Sequence, residues 1–314
     1  MAKQLRGAPV AKAIVAELKE RTAALRERGV TPTLTIVRVG NNPDDISYEH
    51  SAIRRCAACG VSVRRMIITE KANTRTVVNC IREINEDEAV HGVLLFLPLP
   101  RSIDETAVRE TLAPEKDMDG ITEGSMAGVF TGSGTGYPPC TAWACMEILD
   151  YYGIDPAGKR ATIMGRSNIA GKPAAMLLLQ KNATVTICHT KTPDTVKECS
   201  RADIIVAAVG RPGTIGVGHT RIGQTILDVG INVLEDGSVT GDVDYENVEH
   251  IAGAITPVPA GVGPVTTAVL AKHVVEAAEK FADRRDVEIR EAARRAAAEQ
   301  AARNARSKTK TAQQ

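Results

Sequence analysis

Residues with the types and spacing to do chemistry gather first around a glycine-bracketed turn. GRSNIAGKP places Gly165 and Gly171 between a predicted strand at 160–164 and a predicted helix from Lys172. Glycines at such a turn let the backbone approach a pyrophosphate, which the free N–H groups of the helix N-terminus then hold. The spacing is not GxGxxG, so a plain tight turn also fits these residues. The next strand, 183–188, runs into His189-Thr190-Lys191. Folds of this kind read the adenosine ribose there, and an NAD site puts a carboxylate in reach of the 2′-hydroxyl. This chain has Thr190 and Lys191, with Arg166 across the turn. A hydroxyl and cations suit a 2′-phosphate, so NADP fits better than NAD. Lys191 also fits an ordinary solvated charge, and Thr190 alone is compatible with either cofactor.

Other reactive side chains point to less. The seven cysteines, at 56, 59, 80, 140, 145, 188 and 199, lack regular spacing and read as reduced thiols. Cys56 and Cys59 form one CxxC with no second pair to complete a zinc site, so they read as small apolar residues on a helix and no metal is expected. Cys140 follows two prolines with no recognisable base nearby, which favours packing over nucleophilic chemistry. Asp228 and Gly230-Ile231-Asn232 end a strand; cofactor contact and a structural turn fit them equally.

The elements that must position these groups alternate. Helical spacing at 9–28, 46–59 and 75–86 interleaves with strand patterns at 34–39, 61–68 and 93–97. The glycine-rich stretch 128–136, followed by Pro138 and Pro139, breaks the rhythm and marks a domain junction. A helix at 141–152 then opens a second block, with strands at 160–164, 183–188, 204–209 and 225–229 and helices from 172 and at 193–199. This is the cadence of parallel sheets covered by helices. An apolar helix runs from Pro264 to about Phe281; the Arg-, Ala- and Glu-rich tail, 284–314, is expected to begin helical and to be disordered over its last ten residues.

Composition excludes some partners. A net charge of +1 leaves no basic excess for nucleic acid, and aromatics at 3% supply few stacking platforms. No apolar run reaches membrane-spanning length, and the charged N-terminal amphipathic stretch does not resemble a signal peptide, so a cytoplasmic protein is expected.

GRSNIAGKP, NATVTICHTKT, ILDVGIN, GDVDY and ITPVPAGVGP, in this order and spacing, closely resemble the methylenetetrahydrofolate dehydrogenase/cyclohydrolase family. VGNNPDDISY, HGVLLFLPLP, PEKDMDG and PPCT fall where that family has similar segments, so the likeness covers residues 5–283. It implies an α/β fold of two domains flanking a cleft: an N-terminal folate domain (1–137 plus 264–283) and a Rossmann-like NADP domain (138–263), usually in a homodimer joined through the cofactor domains. It implies NADP-dependent oxidation of a tetrahydrofolate one-carbon derivative. Tyr48 would stack on the p-aminobenzoyl ring and Asp119 would pair with the pterin, these two standing nearest the chemistry. Leu97, Pro98, Leu99, Pro259, Gly261, Gly263 and Pro264 would shape the folate pocket, with Ala260 where a glycine is usual. Gly165, Arg166, Ser167, Ile169, Gly171, His189, Thr190, Lys191, Gly210 and Ile231 would hold the cofactor.

The chain departs from the family at one coupled pair. The family's Tyr-x-x-x-Lys becomes Tyr48-Glu49-His50-Ser51-Ala52, and the glutamine that supports the lysine becomes Phe96. Losing one partner alone would strand a buried polar group at a cost of about 1–3 kcal/mol; losing both does not. Hydride transfer from a methylene bridge needs positioning rather than a protein acid or base, whereas hydrolysis of the methenyl product needs water activation and proton transfer. The expectation is therefore a dehydrogenase with weak or absent cyclohydrolase activity. His50, two residues from Tyr48, is expected to face elsewhere. A bifunctional enzyme with a rearranged hydrolytic site and a non-catalytic folate- or NADP-binding protein are the alternatives.

Overall fold

In the computed structural model, which describes residues 1–311, the chain runs β1 (Lys3–Gln4), α1 (Gly7–Glu27), β2 (Thr33–Val39), α2 (Pro43–Cys59), β3 (Ser62–Ile68), α3 (Thr74–Glu86), β4 (Gly92–Leu95), α4 (Glu105–Thr111) and α5 (Glu123–Thr131). It continues through α6 (Cys140–Tyr151), β5 (Arg160–Met164), α7 (Gly171–Gln180), β6 (Thr184–Cys188), α8 (Thr195–Ser200), β7 (Ile204–Ala207) and β8 (Thr225–Asp228). The hairpin β9 (Asn232–Val233) and β10 (Val239–Thr240), α9 (Tyr245–Val248), β11 (Ala254–Ile255) and α10 (Gly263–Thr311) complete it.

Two parallel sheets organise these elements. The first has the order β3-β2-β4. Its central strand, TLTIVRV, is buried at every position, as a strand with neighbours on both edges and helices on both faces must be. The second has the order β1-β11-β8-β7-β5-β6. Strand order reverses between β5 and β7, and the crevice at such a reversal is where doubly wound sheets take ligands.

Strand pairing corrects the domain boundary expected at the N-terminus. Residues 1–137 are expected in the first unit, yet Lys3 and Gln4 pair with Ala254 and Ile255 as the edge of the second sheet. Two residues are too short to carry a strand's periodicity, so only the pairing reveals it. The glycine-rich break also starts inside a helix: Gly128 lies in α5, where a Cβ would come within 1.9 Å of the Thr135 carbonyl oxygen. The strand expected at 93–97 ends at Leu95, so Phe96 and Leu97 leave the sheet edge as loop residues.

α10 begins between the two units and packs on α1, α2 and α6, and its apolar positions from Val265 to Ala282 are buried. Arg21 joins it to α1 through Glu279 at 2.6–2.8 Å, and Arg28 through Asp283 and Asp286, each at 2.8 Å. The disorder expected over 305–314 is not found as far as Thr311, where the helix continues. Alanine, arginine and glutamate are strong helix formers, and a helix already nucleated by packing extends through them without a new nucleation cost. Residues 287–297 are exposed throughout.

Candidate functional site

A recess of about 440 Å³ opens between the two units. Tyr48, Asp44 and Asp45 of α2 line it, with Leu94 to Leu97 at the end of β4 and Asp119. Ile169, Val229 and Ile231 reach it from the second unit, and Val262, Gly263 and Thr266 from the start of α10.

Local chemistry fixes α2 at this wall. Asn42 caps the helix by accepting from the Asp44 N–H at 2.9 Å, Pro43 occupies its first turn, and Gly60 closes it in the left-handed region at φ 79°. Glu49, 1% exposed, turns into the sheet and meets the Arg38 guanidinium at 2.9 Å and that of Arg65. Arg55 donates to Thr267 Oγ1 and the Pro264 carbonyl, both at 3.3 Å, which ties α2 to the first turn of α10. Tyr48 is thereby held over the recess, its ring edge-on to Phe96 with centroids 5.8 Å apart. Burial, with Asp119 and Cys140 nearby, pushes its phenol well above the usual range, so it stays protonated.

Asp119 stands on a loop fastened from below. Asp117, fully buried, accepts from the N–H groups of Ile121 and Thr122 at 3.1 and 2.8 Å. The Cys140 N–H donates to Asp119 Oδ1 at 3.1 Å. Burial raises the Asp119 carboxyl to about 6, and the Cys140 hydrogen bond opposes that rise. Cys140 itself is buried, its thiol 3.9 Å from His273 Nδ1 and 3.2 Å from the Met118 carbonyl. Burial pushes the thiol well up and the imidazole down to about 4, so both are neutral and the pair supplies no nucleophile. Cys56 and Cys59 are likewise buried thiols, pushed up by burial to about 12 and about 11.

Phe96 lines the recess, whereas Ala52 is fully buried in the core behind it and His50 is exposed away from it. Among the other positions expected at the folate, Leu97 and Gly263 line the recess. Leu99 is buried in the core of the first unit, and Pro98 and Pro259 are exposed. Gly261 is buried where a Cβ would lie 2.4 Å from the Pro257 carbonyl oxygen, and Pro264 opens the helix. Ala260 takes φ 85°, the left-handed conformation that explains why a glycine is usual there.

At the second sheet the site is made of backbone. Gly165 has φ 117°, and a Cβ on it would sit 2.0 Å from the Ala208 carbonyl oxygen; one on Gly171 would sit 2.3 Å from that of Gly165. Ser167 Oγ accepts from the Ala170 and Gly171 N–H groups at 3.3 and 3.4 Å and shapes the entry to α7. His189 Nδ1 accepts from the Lys191 N–H at 3.1 Å, which leaves Thr190 and Lys191 exposed beside the turn that carries exposed Arg166. These residues fit a dinucleotide with an extra phosphate: close backbone at the strand reversal, exposed cations at the second strand's end, and no carboxylate between them.

Asp228 and Asp242 hold this side together. Asp242 accepts from the N–H groups of Val209, Gly210 and Arg211 at 2.6, 3.0 and 2.8 Å and from the Asn232 amide at 3.0 Å. Asp228 accepts from Gly230, Asp242 and Val243, each at 3.0 Å. Burial raises its carboxyl to about 6 against those bonds. The choice left open for Asp228 resolves to a structural turn. Asp44 and Asp45 were missed as site residues; their spacing of four and three from Tyr48 was the available signal, because it puts all three on one helical face.

A doubly wound sheet with a glycine turn at its strand reversal, facing a second α/β unit across a recess, defines the class of two-domain dinucleotide-binding proteins. Models of the tetrahydrofolate dehydrogenase/cyclohydrolase catalytic domain and of its NAD(P)-binding domain match residues 5–119 and 139–282, and the chain belongs to that family. It is 48% identical over 281 residues to the bifunctional protein FolD of Carboxydothermus hydrogenoformans, covering 89% of this chain and 98% of the relative. The crystal structure of the bifunctional enzyme FolD from Campylobacter jejuni superposes with TM-score 0.87 at 36% identity, covering 89% of this chain and 99% of that one. The Trypanosoma brucei methylenetetrahydrofolate dehydrogenase-cyclohydrolase, complexed with NADP and an inhibitor, gives 0.83 at 34% identity, with 89% and 98% covered. Among the described residues, no helix is long and apolar enough to cross a membrane.

Proposed function

We propose that this chain oxidises 5,10-methylenetetrahydrofolate to the 5,10-methenyl cation with NADP as hydride acceptor, and that it hydrolyses the product weakly or not at all. The observation that carries the oxidation is the shared recess: Tyr48 and Asp119 line it from one unit, Ile169 and Ile231 from the nucleotide-binding unit. NADP, when bound, supplies the nicotinamide that receives the hydride. Tyr48 offers a protonated ring to stack on the p-aminobenzoyl group, and Asp119 offers an acceptor to pterin N–H donors. Ile169, Val229 and Ile231 would offer the reacting carbons an apolar wall. Arg166, Thr190 and Lys191 would take the 2′-phosphate.

Weak hydrolysis is supported by the pairing of buried Ala52 with Phe96. Neither transfers a proton, and the Phe96 ring packs on Tyr48 where a polar group would be needed. A bifunctional reading is favoured by the names of the relatives and by Asp45, a half-buried carboxyl raised by desolvation at the recess. An assay with methylenetetrahydrofolate and NADP, following NADPH, methenyl and formyl products separately, decides. NADPH and methenyl rising together with formyl at the buffer-only rate supports the proposal, and formyl well above that rate overturns the monofunctional part. The exposed Val233, Leu234 and Val239 at the β9–β10 hairpin support a homodimer through the second units, which light scattering of the purified chain tests.

A further inference from the structure

We propose that the carboxylates of Asp44 and Asp45 stabilise the positive charge that the folate acquires, and so tune the recess for the methenyl cation. This rests on the dehydrogenase reading and extends it to residues without an assigned role.

Hydride loss changes the charge of the bridge. The C–H bond breaks, its electron pair goes to the nicotinamide, and the two flanking folate nitrogens share the resulting positive charge as an amidinium; no proton moves. A site that binds this cation better than the uncharged methylene compound lowers the barrier, because the charge is already developing in the transition state.

The recess is polarised accordingly. Its first-unit wall carries three carboxylates, Asp44, Asp45 and Asp119, and among the described residues no lysine, arginine or histidine lines it. Its opposite wall, of Ile169, Val229 and Ile231, is apolar. Asp44 and Asp45 lie four and three residues before Tyr48 in α2, on the face that lines the recess. Arg38, the cation that acts on Asp45, is occupied elsewhere: it donates to Glu49 at 2.9 Å, to the Gly40 carbonyl and to Asn41 Oδ1 at 3.0 Å. Glu49, shared with Arg65, offsets part of its charge from inside the sheet, and the Arg38 hydrogen bonds hold its guanidinium on Glu49, Gly40 and Asn41.

The same residues account for Ala52. A lysine one turn beyond Tyr48 would place a second cation beside the amidinium, and two unit charges about 4 Å apart repel strongly wherever water is partly excluded. A methyl group at position 52 and carboxylates two turns earlier in α2 act on the electrostatics of the recess in one direction.

The test compares binding of 5,10-methenyltetrahydrofolate, the cation, with that of tetrahydrofolate, which has no bridge charge, on the full chain with and without NADP. Asp45→Asn and Asp44→Asn are each expected to weaken the cation about fivefold, and the double variant more, with tetrahydrofolate unchanged within about twofold. Asp45→Glu is expected to restore cation binding, because it returns the charge. NADP affinity and melting temperature report whether each variant is folded. Equal weakening of both folates, or none, overturns the proposal. A wild-type chain that binds both folates yet produces no NADPH breaks the dehydrogenase reading instead, while the ratio of affinities still judges the carboxylates.

Discussion

The two units are built from different materials beside the recess. On the second unit the crevice at the strand reversal is shaped by main chain: Gly165 and Gly171 let strands and helix approach, and the Asp242 carboxylate holds three successive N–H groups of the loop after β7. On the first unit it is side chain: Tyr48, Asp44 and Asp45 project from α2, which Glu49, Arg38 and Arg55 hold in place, while Phe96 and Asp119 project from loops. A main-chain site tolerates little change, because every residue in it serves the path of the chain. A side-chain site can change its chemistry while the backbone beneath stays in place.

The contrast is broken most severely from the backbone side. Gly165→Ala places a methyl group 2.0 Å from the Ala208 carbonyl oxygen at φ 117°. NADP affinity is expected to fall by at least about 100-fold while tetrahydrofolate still binds, measured by calorimetry on each ligand. Equal loss of both would mean that the two sides are one cooperative structure. Next in size, Ala52→Lys alone buries an unpaired amine in a fully buried position and is expected to cost about 3 kcal/mol in chemical denaturation. Adding Phe96→Gln should recover part of that loss and raise formyl product above the buffer rate.

A pH profile sharpens the side-chain half. With the Asp119 carboxyl raised to about 6, it is ionised above that value and protonates below it. kcat/KM for the folate is expected to fall up to tenfold per pH unit below about 6, and Asp119→Asn should lower the plateau and remove that limb. The stability sign runs the other way: the folded form holds its proton more tightly than the unfolded chain, so Asp119 and Asp228 make the fold less stable as pH rises from about 4 to about 6. Smallest is Ala260→Gly, which relieves φ 85° and should stabilise the chain by about 0.5–1 kcal/mol, read as a small rise in melting temperature.

Legibility in the sequence followed the same division. The glycine-bracketed turn and the alternating elements were readable because glycine, strand periodicity and helix spacing are local signals. Gly210 was placed at the cofactor by resemblance, but Asp242, which positions its loop from 32 residues away, was not identified as its support. Asp44 and Asp45 passed unnoticed because carboxylates in the first turn of a helix ordinarily serve its dipole. β1 was invisible for a different reason: its partner lies some 250 residues away, and two residues carry no pattern. Of the tail, whose start was expected to be helical, only 305–311 departs from expectation, because its polar composition does not register that the helix from Gly263 carries on into it.

The N-terminal edge strand has a mechanical consequence. The chain passes between the two bodies three times: after β1, around residues 132–139, and between β11 and α10. Two bodies tied at one point swivel and at two points fold like a door, but three separated ties leave little freedom beyond small elastic flexing. The width of the recess then depends on the three crossings as well as on its lining, and changes at any of them should alter that width without touching a single group that lines it.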